Sequence, residues 1–301
     1  MSTGSLLVHG GILIDDLAFS DGRVLAGVLG GAALHALAGA ALWDDDVLLI
    51  GGVGRDAEQN ILPWMRRAHL PTTGLKIAGE FTPRNILAYR ADGSRTETPA
   101  LGRDHFARLQ PGADELVARM PGARGAYVFR DADPRFWTPV LHAAGGRAIL
   151  LFWEISGEAC TPACRSDIAA VAGKIAGLSL NLQEAADIFG DKPREDLISD
   201  VRSLGAGVAF LRCGAEGSVV IWSQDAVAVP AYPASVIDVT GAGNAYGGGA
   251  LAGLADGADP VRAARMGALA ARLAVGQHGL FAARDANVRA GVRAALNDPV
   301  S

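Results

Sequence analysis

Short apolar runs keep returning along this chain with helical patterns between them, and that alternation restricts the fold more than any other feature. "SLLVHGGILI" (5–14) predicts a strand, "AALHALAGAAL" (32–42) a helix, "DVLLIGG" (46–52) a strand and "AEQNILPWMRRAH" (57–69) a helix. "GAYVF" (125–129) and "AILLF" (148–152) predict strands, and "LSLN" (178–181) leads into the helical "LQEAADIF" (182–189). "GVAFLRCG" (207–214) and "SVVIW" (218–222) read as adjacent strands joined by "AEG", and helices follow over 245–255, 260–275 and 287–296. Strands without polar alternation are buried on both faces, so the expected fold class is α/β, a doubly wound, mostly parallel sheet with helices on both faces.

Two stretches break the rule. "AFSDGRVLAG" (18–27) and "NILAYRADGSRTET" (85–98) read as short antiparallel strands around Asp-Gly turns. They predict a small β-flap on a single domain spanning 1–301, with lid strands from about 16–29 and 81–98. Half of the 301 residues are hydrophobic, ample for one large core. A formal net charge of -5 carries no nucleic-acid footprint. Cys160, Cys164 and Cys213 are too few for a disulfide framework, and the start "MSTGSLLVHG" has no basic n-region. A cytoplasmic protein is therefore expected, with no membrane partner. The uncharged segment Val24–Trp43 is long enough to span a bilayer, but it is rich in Ala and Gly, carries His35 and is divided by Gly30–Gly31. A buried helix entered through a glycine turn is expected there.

The densest chemical signal is "DVTGAGNAYGGG", Asp238–Gly249. An apolar run ends at Ile237, glycines follow at 241 and 243, and a helical pattern begins. Such a turn lets the backbone N–H groups of Gly241, Ala242, Gly243 and Asn244 converge, and the helix adds the positive end of its dipole. A plain turn capped by Thr240 or Asn244 is the competing reading. The dinucleotide fingerprint G-x-G-x-x-G fails because Tyr246 stands at the third glycine, and the G-x-x-x-x-G-K-[ST] loop fails for want of a lysine.

With Asp238, Thr240, Gly241, Ala242 and Gly243 in place, the chain resembles the ribokinase-type (PfkB) carbohydrate kinase family, whose signature D-T-x-G-A-G-D reads D-V-T-G-A-G-N here. Further landmarks follow in family order: "HGGILIDD", "GGAALHALAGAAL", "GGVGRDAEQNIL", "NLQEA" as N-x-x-E, "LRCGAEGSVV" and "GALAARLAVGQHG". The resemblance implies a ribokinase-like fold with a flap over the substrate, ATP and Mg2+ as cofactors, and phosphoryl transfer to a hydroxyl of a sugar or nucleoside. Gly241, Ala242 and Gly243 would form the anion hole, beside Asp238 and Thr240. Asn181 and Glu184 would orient the water shell of Mg2+, and Arg212, Gly214 and Gly217 would lie on the nucleotide side. Asp15, Gly30, Gly31, His35 and Arg84 would line the substrate side. It also raises a monovalent cation and a homodimer paired through the lid.

The departures matter as much. The family's catalytic Asp is Asn244, its substrate-binding Asn after Gly-Gly is His35, and the glycine after "GRDAE" is Gln59. "FWEISGEACTP" replaces the D-P-N that many members carry, and together these features look most like the divergent Mak32-like branch. An amide can align a hydroxyl but cannot take its proton at neutral pH. Two readings follow: a slow or rewired kinase, or a pseudokinase that binds nucleotide or sugar. Glu154, after the apolar run, is either a site residue or a capped strand end. His35 either faces the sugar or is a satisfied core histidine. Cys160 and Cys164 read as ordinary thiols, and Asp44–Asp46 as a solvated loop.

Overall fold

The computed structural model describes residues 4–91 and 94–298. Nine strands form one sheet: β1 (Leu6–His9), β4 (Val47–Gly54), β5 (Leu75–Gly79), β8 (Gly125–Arg130), β9 (Leu150–Ile155), β10 (Gly177–Asn181), β11 (Val208–Arg212), β12 (Ser218–Trp222) and β13 (Asp225–Val229). Four others, β2 (Leu13–Ala18), β3 (Val24–Gly30), β6 (Arg84–Tyr89) and β7 (Arg95–Pro99), form a second sheet. The large sheet runs β13-β12-β11-β10-β9-β8-β1-β4-β5 and is parallel throughout except for β12. The strand order changes direction between β8 and β1, the point outside whose carboxyl ends open α/β sheets place their ligands.

Strand alternation divides the core in two. Leu6, Val8 and Phe152 pack with the helices Ala32–Ala41, Ala242–Ala255 and Pro260–Val275 on one face. Leu7, Leu151 and Trp153 pack with Trp137, Ile168 and Leu197 on the other. Both faces being covered explains why the strands read as continuous apolar runs.

Two expectations are corrected. Residues 5–14 are not one strand: β1 lies in the large sheet and β2 in the small one, parted at Gly10–Ile12. The helix expected over 57–69 is two, Ala57–Asn60 and Leu62–Arg67, because Pro63 has no N–H to continue the first. The segment Val24–Trp43 is β3 followed by the helix Ala32–Ala41, and among the described residues no helix is long and apolar enough to cross a membrane. In the small sheet β2 pairs antiparallel with β3 and parallel with β6, and β6 antiparallel with β7. The Asp21–Gly22 turn joins the first hairpin, whereas the turn expected at Asp92–Gly93 lies outside the described residues.

Candidate active site

Asp238 builds the glycine turn. Its Oδ1 accepts hydrogen bonds from the backbone N–H (2.9 Å) and hydroxyl (2.6 Å) of Thr240. Its Oδ2 accepts from the Tyr89 hydroxyl (2.8 Å) and meets His278 Nδ1 at 3.1 Å. Burial pushes its pKa up, yet the bonds from Thr240, His278 and Tyr89 hold it below the ordinary value. Gly241 then takes a left-handed conformation (φ 75°), and the helix Ala242–Ala255 begins. A side chain at 241 would also overlap the His35 ring, so this position excludes other residues twice over.

The helix rests on a charged cluster supplied by three neighbouring strand ends. Glu154 (β9), Asn181 (β10) and Arg212 (β11) are brought together by the parallel register, in which Asn181 faces Arg212. Arg212 Nη2 lies 2.6 Å from Glu154 and 3.4 Å from Glu184. Asn181 and Glu184 cap the helix Leu182–Phe189 reciprocally: the Glu184 N–H donates to Asn181 Oδ1 (2.9 Å), and the Asn181 N–H to Glu184 Oε2 (2.7 Å). A Cβ at Gly243 would overlap the Arg212 guanidinium. One at Gly247 would stand 2.7 Å from the Tyr127 ring and 3.0 Å from Glu154 Oε2. Burial, at 3 % exposure, raises the Glu154 pKa to about 7 against the pull of Arg212. Asn244 donates its side-chain N–H to the Tyr127 hydroxyl at 3.0 Å, and burial followed by Glu154 pushes that phenol well above its usual range.

The small sheet supplies the opposite wall. Asp15 is 4 % exposed, its Oδ1 has no partner among the described residues, and a Cβ at Gly30 would overlap its Oδ2. Burial, then Glu97 and Asp238, raises its pKa to about 7. Strand register fixes what shares its face. Asp15 pairs with Asn85, and Leu87 with Glu97, and Tyr89 with Arg95, so Asn85, Tyr89, Arg95 and Glu97 point the same way. Arg84 pairs with Ile14 and therefore points to the other face, where its Nη1 grips Asp16 at 2.9 and 3.0 Å. Tyr89 stacks on Phe19 (5.4 Å), and Phe19 meets the His278 ring (5.3 Å). The small sheet is thus tied to the Asp238 turn.

The other residues singled out from sequence fall around these walls. His35, 2 % exposed, lies under Gly241 with Nδ1 unpartnered, and burial lowers its pKa to about 4. Gly31 (φ 91°) passes against Gly11, where a Cβ would come within 2.7 Å of the Gly11 carbonyl oxygen. Gly214 opens the β11–β12 turn with open space around it, whereas a Cβ at Gly217 would overlap the Val229 carbonyl. Sequence reasoning missed Tyr127, Tyr89, Phe19, Asn85, Arg95, Glu97 and His278. Alternation along β6 and β7 signals some of them once the register is known; His278 lies inside the landmark "GALAARLAVGQHG" without being singled out, and nothing local signals Tyr127.

No group of three or more His, Cys, Asp or Glu side chains among the described residues could hold a metal directly. One carboxylate and one amide, Glu184 and Asn181, fit a divalent ion that keeps its water shell. The pfkB family carbohydrate kinase model matches residues 24–286. The chain is 26% identical over 271 residues to the cytidine kinase of Thermococcus kodakarensis, covering 89% of this chain and 94% of that one. It is 28% identical over 194 residues to the 2-dehydro-3-deoxygluconokinase of Thermoproteus tenax, 56% of this chain and 60% of the other. A fructokinase from Vibrio cholerae with fructose, ADP and calcium bound has the same fold, with a TM-score of 0.75 at 17% identity over 99% and 100% of the two chains.

Proposed function

The chain belongs to the pfkB family of carbohydrate kinases, and from that premise we propose that it moves the terminal phosphoryl group of ATP to a hydroxyl of a small polyhydroxylated substrate, a sugar or a nucleoside. One observation carries the reading. The Asp15 carboxylate, with Oδ1 unpartnered, stands on the small sheet and the turn at 241–244 opens the helix Ala242–Ala255, and the Tyr89–Asp238 bond draws the two together.

When bound, Mg2+–ATP supplies the transferred group and a cation that shields it. The N–H groups of Gly241 and Gly243 would face the charge that builds during transfer, the Ala242 N–H being bonded to the Val239 carbonyl at 3.3 Å, and the Arg212 guanidinium lies beneath Gly243. Asn181 and Glu184 would orient the water shell of a bound divalent ion. Asp15, with Asn85 beside it, holds substrate hydroxyls. Gly214 lets the backbone approach the nucleotide. Transfer of this kind passes through a loose transition state governed by position and charge, so a missing base slows the reaction without abolishing it. Asn244 spends its N–H on Tyr127, which leaves its carbonyl to align the acceptor hydroxyl.

That same Asn favours a second reading, a nucleotide- or sugar-binding protein without turnover. We assign the Asn to the Mak32-like branch. ADP release with ATP, Mg2+ and a panel of sugars and nucleosides separates the two. Substrate-dependent release by the wild type supports the kinase, and Asn244→Asp is expected to raise kcat by about 10²-fold. Release by the Asp variant alone would establish the binding role. Omitting K+ or Na+ in the same assay reads any monovalent cation. The proposal includes a homodimer through the outward face of the small sheet, where Ile86 is 42% exposed; a monomer in light scattering would remove that part.

A further inference from the structure

The small sheet's inner face says more about its ligand than that it bears hydroxyls. Three carboxylates converge there, Asp15, Glu97 and Asp238, the last two being charged neighbours of the first. Asp15 is almost fully buried with Oδ1 unpaired, a carboxylate oxygen waiting for a donor. The only guanidinium on that face among the described residues is Arg95, and Glu97 holds it at 3.2 Å. Arg84, one residue from Asn85 in the chain, is turned away and bound to Asp16. A carboxylate on the ligand would meet the like charges of Asp15 and Asp238 and, with Arg95 neutralised by Glu97, no free guanidinium among the described residues, and like-charge juxtaposition in an interface is unfavourable.

We propose that the substrate pocket selects uncharged polyols, sugars or nucleosides, against sugar acids, with Glu97 as the residue that sets this preference by neutralising Arg95. The inference rests on the kinase-site reading above and deepens it. It separates this chain from a relative such as the 2-dehydro-3-deoxygluconokinase, whose name denotes an acidic sugar. Asp15 and Asp238 remain on the face whatever stands at 97, and Glu97 acts through the cation it occupies. Its own side chain is half exposed, so the effect is moderate and weakens with salt.

The test uses the full chain at pH 8 and low salt, with fructose, cytidine and inosine as neutral probes and gluconate and 2-dehydro-3-deoxygluconate as acids. Binding is measured by calorimetry and ADP release in parallel. In the wild type the acids are expected to bind at least about tenfold more weakly than the best neutral probe. Glu97→Gln should narrow that gap severalfold, and Arg95→Gln should widen it, with unchanged melting temperatures showing that both variants fold. Equal binding of an acid by the wild type, a gap unmoved by Glu97→Gln, or no binding of any probe would overturn the proposal. Neutral binding without ADP release would instead sink the kinase reading and leave the selectivity standing.

Discussion

At the scale of single residues, the buried pair Arg212–Glu154 is the most exposed to test. Removing one member of a buried pair leaves an uncompensated charge and costs about 3–5 kcal/mol. Arg212→Met is therefore expected to destabilise by about that much at pH 8, and by less at pH 5, where Glu154 is protonated. Denaturant titrations at the two pH values check it, and an equal loss at both would show that Glu154 is not the group relieved. Sequence alone pointed to Arg212 and left Glu154 open, because their partnership spans β9 and β11 and no local pattern records it. The same limit applied to Arg84. It lies beside Asn85 in sequence, but a strand sends successive side chains to opposite faces, and the register that decides which one faces Asp15 belongs to the pairing with β2.

At the scale of elements, the helix Ala242–Ala255 defies propensity. Glycine weakens a helix interior by about 1 kcal/mol relative to alanine, yet this one carries glycines at 247, 248, 249 and 253. The reason is proximity. A Cβ at Gly248 would overlap the Ala36 carbonyl, and one at Gly39 the Ala245 carbonyl, so the two helices pack backbone to backbone. Gly248→Ala is expected to destabilise by about 2 kcal/mol, overpacking outweighing the gain in propensity. Gly291→Ala, in the helix Ala286–Asn297 with open space around it, is expected to stabilise by up to about 1 kcal/mol. Thermal melts of both variants check the signs, and a shared sign would defeat the packing argument. The glycine richness was legible as a phosphate-type turn, but its second half serves packing, and only the neighbouring helix reveals that.

At the scale of the whole molecule, buried titratable groups oppose one another. Asp15 and Glu154 have folded pKa values of about 7, above their ordinary 3.8 and 4.5. The folded state thus keeps protons the unfolded chain has released, and the stability this gives at low pH is lost as pH rises through 7. His9 and His35, lowered from 6.5 to about 4 by burial first, act the other way: their contribution is lost as pH falls from 6.5 toward 4. The double variant Asp15→Asn/Glu154→Gln should therefore gain on the wild type between pH 5 and 7, by up to about 1.4 kcal/mol per unit and group. A difference in melting free energy that stays flat with pH would contradict this. The alternation of strands and helices made the large sheet legible, whereas the jump from β1 to β2 was hidden because Gly10 and Gly11 carry no side chain to mark a change of sheet. That jump has a mechanical sequel. The chain leaves the large sheet at Gly10–Gly11 and leaves the small one at Gly30–Gly31 for the helix Ala32–Ala41, and the two passages touch. Such a crossing is a fulcrum. Asp15 lies about 13 Å along the strand from Gly11 and Phe19 roughly 26 Å, at about 3.3 Å per residue. For any tilt of the small sheet about that point, the aromatic tip at Phe19 sweeps about twice as far as the carboxylate of Asp15.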